Sequence, residues 1–300
     1  METILSSFPR IETTRLDDSV RACQPGSFIR LPQGRVHYEL DGPEDGTLVV
    51  LVHGFSIPYY LWDPTFKALT RAGFRVLRYD LYGRGYSDRP KAIYDLRYFS
   101  RQLSDLLYGL NLHQVFHLAG VSMGGLICLH FAASHPRDVK SVCLIDPAGF
   151  PPPGMFPPGL MIPLLGELML TFQSRRRVIE ALEIDLLRPQ RFPEYVSQYL
   201  PQLRLRGSVA ALLSTIHCGV LDRQEELYRQ FGNSGVPAQL FWGKEDQTFP
   251  FEISREVLAI LPGAEFHPVA GARHVPQYEH PEVVHPLMID FFSRCQPAGA

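Results

Sequence analysis

The chain has 300 residues, 45% of them hydrophobic and 20% charged, ordinary globular usage that excludes a disordered chain and leaves room for one large domain or a core with a smaller accessory one. With 29 Lys and Arg against 31 Asp and Glu, the net charge is −2. No excess of cations is available to face phosphates, so nucleic acid is excluded as a partner. Along the chain, the first twenty-odd residues (1–27) lack periodicity and read as a poorly ordered lead. Phe28 to Leu40 alternates around Gln33-Gly34, as a hairpin does. Leu48 to Val52 is a continuous β-prone apolar run, the mark of a strand buried on both faces. A helical pattern from Tyr60 to Arg71, a strand from Phe74 to Tyr79 and a helix from about Asp95 to Leu110 come next. Val115 to Val121 is a third buried strand, running directly into a helix over Ser122 to Ser134, and Val139 to Ile145 is a fourth.

The alternation then stops. Seven of the seventeen residues from Pro147 to Pro163 are proline, and the chain beyond them is helical in character, as in Arg175 to Leu187 and Ser208 to Phe231. It resumes with Pro237 to Trp242, Glu252 to Leu261, Glu265 to Val269 and Pro281 to Phe292. Strands separated by helix-length segments predict an α/β fold with a mostly parallel sheet and helices on both faces. The core is expected over 28–146 and 235–296, interrupted by a helical insertion at 147–234. Five scattered cysteines (Cys23, Cys128, Cys143, Cys218, Cys295) with no C-x-x-C fit neither a disulfide framework nor a zinc site, and most are expected to be buried thiols. The start of the chain has no basic segment leading into an apolar one, so no secretory signal is expected. The most apolar stretch, Leu160 to Phe172, is too short to span a bilayer. A soluble, cytoplasmic protein without stable membrane insertion is expected.

Gly120-Val121-Ser122-Met123-Gly124 matches G-x-S-x-G at a strand end and helix start, the context a nucleophile elbow requires. So tight a turn strains the serine backbone and lifts Oγ clear, and a side chain at either flanking glycine would meet backbone. The helix N-terminus beneath offers free N–H groups and a positive partial charge where an oxyanion would form. The plainer alternative is an ordinary serine cap. A serine hydroxyl needs a base oriented by a carboxylate. His274, in the loop Gly271-Ala272-Arg273-His274 after the last strand, is the expected base. His267 falls inside a strand, and His280 and His285 at the final helix. For the acid, Asp246 lies just past the strand ending at Trp242, with Glu245 a weaker neighbour. Asp146, at the end of the Val142 to Ile145 strand, is its competitor, although Pro147 after it suits a strand terminator. His53-Gly54-Phe55 comes directly after the first buried strand. The N–H groups of Phe55 and Met123 are expected to form an oxyanion hole, with His53 supporting the loop through backbone hydrogen bonds.

Taken together, His53-Gly54, Asp80-Leu81-Tyr82-Gly83-Arg84-Gly85-Tyr86-Ser87-Asp88, Gly120-Val121-Ser122-Met123-Gly124-Gly125 and the Asp246 and His274 loops resemble the α/β-hydrolase family over roughly residues 28–294. The resemblance implies that the helical insertion is a cap (lid) roofing the site. Haloalkane dehalogenases and epoxide hydrolases of the family use an aspartate where Ser122 stands. Carbon–carbon hydrolases of ring-cleavage pathways typically carry Asn where Val121 stands, and proline iminopeptidases usually carry Trp in place of Met123. Cofactor-free perhydrolases share the triad. The expectation is therefore a carboxylic-ester hydrolase similar to microbial esterases and monoacylglycerol lipases, acting on a small-molecule ester with an apolar acyl or aryl group. A carbon–carbon hydrolase, a perhydrolase and a non-catalytic binder are the alternatives. Trp62, Phe150, Met155, Phe156 and Met161 are the expected substrate contacts. Gly83-Arg84-Gly85 lacks the third glycine of a dinucleotide loop, where Asp88 stands, and His113 and His117 straddle a loop and a strand start. No cofactor or metal is expected.

Overall fold

The computed structural model describes residues 12–162, 164–172 and 175–295. Eight strands, β1 (Ser27–Leu31), β2 (Gly34–Asp41), β3 (Leu48–Val52), β4 (Arg75–Tyr79), β5 (Phe116–Val121), β6 (Val139–Ile145), β7 (Ala238–Gly243) and β8 (Glu265–Val269), form one sheet in the order β1-β2-β4-β3-β5-β6-β7-β8. The β1–β2 hairpin and the β2–β4 pair are antiparallel and all other pairs are parallel, as the alternation of predicted elements requires. Helices α1 (Asp18–Ala22), α2 (Asp63–Arg71), α3 (Leu96–Gly109) and α4 (Met123–Ser134) precede β6. Between β6 and β7 come α5 (Leu165–Thr171), α6 (Arg175–Glu183), α7 (Pro193–Ser197), α8 (Leu200–Leu203), α9 (Ser208–His217) and α10 (Glu225–Gly232). The chain closes with α11 (Ser254–Ile260), α12 (Pro276–Glu279) and α13 (Pro281–Arg294).

The sheet separates two apolar cores, and β3 shows why its sequence is apolar throughout. Successive side chains point to opposite faces, so Leu48, Val50 and Val52 enter one core while Val49 and Leu51 enter the other. The first core is closed by α3, α4, α10 and α11 and the second by α2 and α13. Full burial of each such side chain stabilises the fold by about 1.5–3 kcal/mol. α4 is apolar nearly all round because it is covered on all sides. α3 starts where Asp95 accepts a hydrogen bond from the Tyr98 N–H at 2.7 Å.

Several expectations are corrected by the structure. Residues 12–27 of the expected lead make specific contacts with the rest of the chain, and residues 1–11 lie outside the described residues. The Glu12 carboxylate accepts from the N–H groups of Gly207 and Val209, at 3.0 and 2.6 Å, and Thr14 bridges to Leu205. Asp17 caps α1, whose Arg21 pairs with Asp88. These anchors are isolated contacts without a periodic signature. The helical stretch expected over Ser208 to Phe231 breaks between α9 and α10, with Gly219 in the left-handed region. Only Cys128 and Cys143 are buried, on α4 and the central strand β6, whereas Cys23 and Cys218 are exposed. Among the described residues, no helix is long and apolar enough to cross a membrane.

Sheet topology fixes where a site forms. β4 lies on one side of β3 and β5 on the other, so the connections leaving the carboxyl ends of β3 and β5 diverge and open a crevice, where open α/β sheets bind ligands.

Candidate active site

Ser122 sits between β5 and α4 at φ 55° and ψ −123°, a conformation unfavourable for an L-residue. Surrounding bonds impose it. Its N–H donates to Ile145 O at 2.9 Å, and its carbonyl accepts from the N–H groups of Gly125 and Ala148 at 3.0 and 3.1 Å. The flanking glycines are sterically required, because a methyl at Gly120 would strike the Gly124 carbonyl and one at Gly124 the Val52 carbonyl. The nucleophile helix thereby packs directly against the end of β3.

His274 is buried in the loop after β8, and its Nδ1 lies 2.8 Å from Asp246 Oδ2. A carboxylate only accepts, so Nδ1 carries the proton and Nε2 is the basic nitrogen. Burial by itself lowers the His274 pKa. Attraction to Asp246, the hydrogen bond to it and the nearby Asp185 together outweigh burial and raise it above its ordinary 6.5. Asp246 is held in turn by the N–H groups of Thr248 and Phe249, which donate to Oδ1 at 2.7 and 3.1 Å. The competitor, Asp146, lies one strand away. Its Oδ1 accepts from Gly243 N at 2.9 Å, and burial, followed by repulsion from Asp246, pushes its carboxyl well above the ordinary range. It supports the Asp246 loop from beneath, and burial favours its protonated form. The nearest donor atoms of Asp146, Asp246 and His274 lie within 4.8 Å of one another, but hydrogen bonds within the protein already engage Asp246 and the His274 Nδ1.

Ser122 and His274 line one cavity of about 470 Å³, the size of a small-molecule site. Among the described residues no hydrogen bond joins the Ser122 hydroxyl to the ring; such bonds commonly tighten only around substrate. Phe55 lines the same cavity, and its N–H has no protein acceptor among the described residues, while Met123, at the first turn of α4, carries an N–H that the helix leaves unused. Met123 directly follows Ser122, and Gly54, next to Phe55, lies against Ser122, since a methyl there would come within 3.2 Å of Ser122 Cβ. His53 holds the loop in place: its Nδ1 donates to Gly54 O and its Nε2 accepts from Leu81 N, both at 2.9 Å. Burial pushes its pKa down to about 4, so it is neutral.

The expected substrate contacts divide. Met155 and Phe156 line the cavity. Trp62 does not, being fully buried in the core between the sheet and α13. Phe150 packs on Tyr228 of α10 instead, and Met161 is half exposed outside the cavity. An apolar side chain in the insertion has three destinations (cavity, core and surface), and composition does not separate them. The other histidines have structural partners: His267 with Glu265, His280 with Gly271 O, and His285 with Thr65. Sequence reasoning missed Asp185 and Arg84. Asp185, in the helical insertion, lines the cavity and accepts from Tyr195 Oη at 2.9 Å. Arg84 donates to Phe55 O at 2.9 Å. Asp185 belongs to no motif, and Arg84, although part of the Asp80–Asp88 stretch that resembles the family, is given no role of its own by the resemblance.

The sequence profile described as the alpha/beta hydrolase fold matches residues 47–281. The chain belongs to the α/β hydrolase fold family. Among its relatives, Lipase 1 of Psychrobacter immobilis is 29% identical over 247 residues, covering 81% of this chain and 75% of the lipase. The 2-hydroxy-6-oxononadienedioate/2-hydroxy-6-oxononatrienedioate hydrolase of Paraburkholderia phymatum is 29% identical over 273 residues, covering 87% of this chain and 91% of that one. The crystal structure of the enol-lactonase from Burkholderia xenovorans LB400 superposes with a TM-score of 0.75 at 22% identity, covering 89% of this chain and 100% of the lactonase. At that identity the likeness is one of fold.

Proposed function

We propose that the protein is a serine hydrolase that cleaves carboxylic esters with an apolar acyl or aryl group. His274 Nε2 takes the proton of Ser122 as Oγ attacks the ester carbonyl, and Asp246 holds the ring and stabilises its cation. The N–H groups of Phe55 and Met123 receive the oxyanion. The alcohol leaves with the proton from His274, and water then repeats the attack on the acyl-enzyme.

The observation that carries this reading is the buried Asp246–His274 pair opening, with Ser122, onto a cavity whose described lining contains no Lys or Arg. A dioate substrate, such as the name of the Paraburkholderia relative indicates for that enzyme, would bring carboxylates in with no cation to meet them, and burying an unpaired charge is costly. A neutral ester meets no such cost. The segment from 147 onward serves in this reading as a cap over the cavity. α10 packs on α4 within the sheet's own core, so this reading assigns the roof of the cavity to the part of the 147–234 insertion before α10.

A fluorophosphonate probe tests the assignment: it should label wild-type protein at Ser122 and leave folded Ser122→Ala unlabelled. A series of nitrophenyl esters, run beside a vinylogous diketone of the ring-cleavage type, should show ester turnover and little bleaching of the diketone. Faster turnover of the diketone would move the assignment to carbon–carbon cleavage.

A further inference from the structure

One carboxylate in the cavity has no part in the proposed chemistry. Asp185 comes just after α6, is half-buried, and is the only acidic side chain among the described lining residues. Its Oδ2 accepts from Tyr195 Oη at 2.9 Å, and Thr248 Oγ1 lies 3.5 Å from its Oδ1. A carboxylate in an otherwise apolar cavity needs a reason.

Fastening this segment to the core is not that reason, because other groups do it. The His274 N–H donates to the Asp185 carbonyl at 3.1 Å, a backbone bond indifferent to the side chain. Arg273 Nη1 reaches the carbonyls of Ile184 and Leu186 at 3.4 and 3.3 Å, and Glu279 accepts from the Leu187 N–H at 2.7 Å.

Position relative to the base supplies one. In ester cleavage the bond from the acyl carbon to the alcohol oxygen breaks, and the proton on His274 passes to that oxygen. The alcohol must therefore lie against His274. The Asp185 carbonyl accepts from the His274 N–H and its charge acts on the ring, Thr248 reaches its carboxylate, and Gln247, preceding Thr248 in the Asp246 loop, lines the same cavity. The oxyanion side has a different character. Phe55 packs on Phe156 with centroids 6.3 Å apart, and Phe156 continues into the apolar cluster of Leu160, Val209 and Leu213.

We propose that Asp185, with Thr248 and Gln247, forms a subsite for a hydroxylated leaving alcohol, so that the substrate is an ester joining an apolar acid to a short polyol. The proposal rests on the ester-hydrolase reading and specifies its alcohol. A vicinal hydroxyl donates to the Asp185 carboxyl and exchanges hydrogen bonds with the neutral Thr248 and Gln247 side chains. Burial raises the Asp185 pKa, and a hydroxyl can donate to this carboxyl without carrying a further charge into the cavity. A site built to bond a hydroxyl discriminates strongly against an analogue that lacks it.

The test compares kcat/KM for 1-octanoylglycerol, methyl octanoate and octanoylcholine, which share one acyl chain. Wild type should prefer the glyceryl to the methyl ester by about tenfold or more, corresponding to at least one hydrogen bond realised in the transition state. Asp185→Leu should lower that ratio by about tenfold whatever it does to the absolute rates, while Asp185→Asn, which still accepts a hydrogen bond, should keep it within about threefold. Thr248→Val should lower it by about threefold and carries the test if Asp185→Leu does not fold. A wild-type ratio near one, a ratio unmoved by Asp185→Leu, or a preference for the choline ester would each overturn the subsite. Failure of folded wild-type protein to turn over any of the three esters would instead remove the ester-hydrolase reading beneath it.

Discussion

The guanidinium of Arg84 donates from Nε to the carbonyl of Phe55 at 2.9 Å and lies over the same residue's ring, 5.4 Å from its centroid. Its Nη2 donates to Thr215 Oγ1 on α9 at 2.8 Å, and no carboxylate pairs with it among the described residues. Burial lowers its pKa only to about 10, so it stays charged at neutral pH. A buried cation without an anionic partner costs stability; here it joins the proposed oxyanion loop to the helical insertion. Arg84→Met should lower kcat/KM by about 10–100-fold, mostly through kcat, because a displaced donor weakens binding of the transition state more than of the substrate. Thr215→Val, which leaves the Phe55 bond intact, should cost less than about tenfold. Steady-state kinetics on a nitrophenyl ester would decide, and an equal loss from both substitutions would show that the Phe55 bond is not the one that matters.

Two aspartates beside His274 invite opposite outcomes. Asp246→Asn removes the charge that favours the His274 cation and offers an amide NH2 that can turn to Nδ1 and select the wrong tautomer, and it should lower kcat by about 10⁴-fold. Asp146→Asn replaces a carboxyl whose protonated form burial favours by a neutral amide that can still accept from Gly243 N, and activity should stay within about threefold. Stability should respond differently. The Asp146 pKa is raised on folding, so between its unfolded value near 3.8 and its folded one the native state binds more protons, and stability falls as pH rises. Thermal melts should show Asp146→Asn gaining on wild type as pH increases from 4 to 8.

The pH–rate profile should report the His274 pKa. As a base it must be neutral, and its pKa is raised above 6.5. The acid limb of kcat/KM should therefore have its midpoint above pH 6.5, with activity rising toward higher pH. For stability the sign is reversed, since the ion pair with Asp246 favours folding below pH 6.5 and that gain is lost as pH climbs through the folded pKa. Asp185→Asn should move the kinetic midpoint downward by removing one of the charges that raise it. A midpoint below 6.5 in wild-type protein would contradict this arrangement of charges.

Strain at Ser122 is open to a calorimetric check. Glycine takes positive φ without the cost borne by an L-residue. Ser122→Gly and Ser122→Ala should both be inactive, but the glycine variant should be the more stable of the two by about 1 kcal/mol after its greater unfolded-state entropy is counted. Equal melting temperatures would mean that the turn is relaxed.

Much of the fold was legible because it depends on local pattern. The apolar runs at Leu48–Val52 and Val139–Ile145 became β3 and β6 with those bounds, since a strand covered on both faces admits almost nothing polar. The hairpin and the G-x-S-x-G elbow were equally readable, their backbone demands being met by glycine. The insertion was harder. Its short helices begin at prolines or after irregular turns, for example α7 at Pro193, and no long periodic face marks which side turns inward. Hence composition points Phe150 and Met161, like Trp62 in the loop after β3, toward a cavity that they do not line.

By itself the sequence determined a parallel α/β core and a strained serine above a helix N-terminus, because strand periodicity and glycine placement act over a few residues. It narrowed the base and acid to a few loop positions. Only the tertiary structure separates Asp246 from Asp146: both follow parallel strands on the same rim, and three-dimensional packing puts one carboxylate on the imidazole and the other against the Gly243 N–H beneath the Asp246 loop. It alone also brought Asp185 to His274, 89 positions along the chain. Contacts between distant segments depend on how whole layers stack, and no local pattern records that.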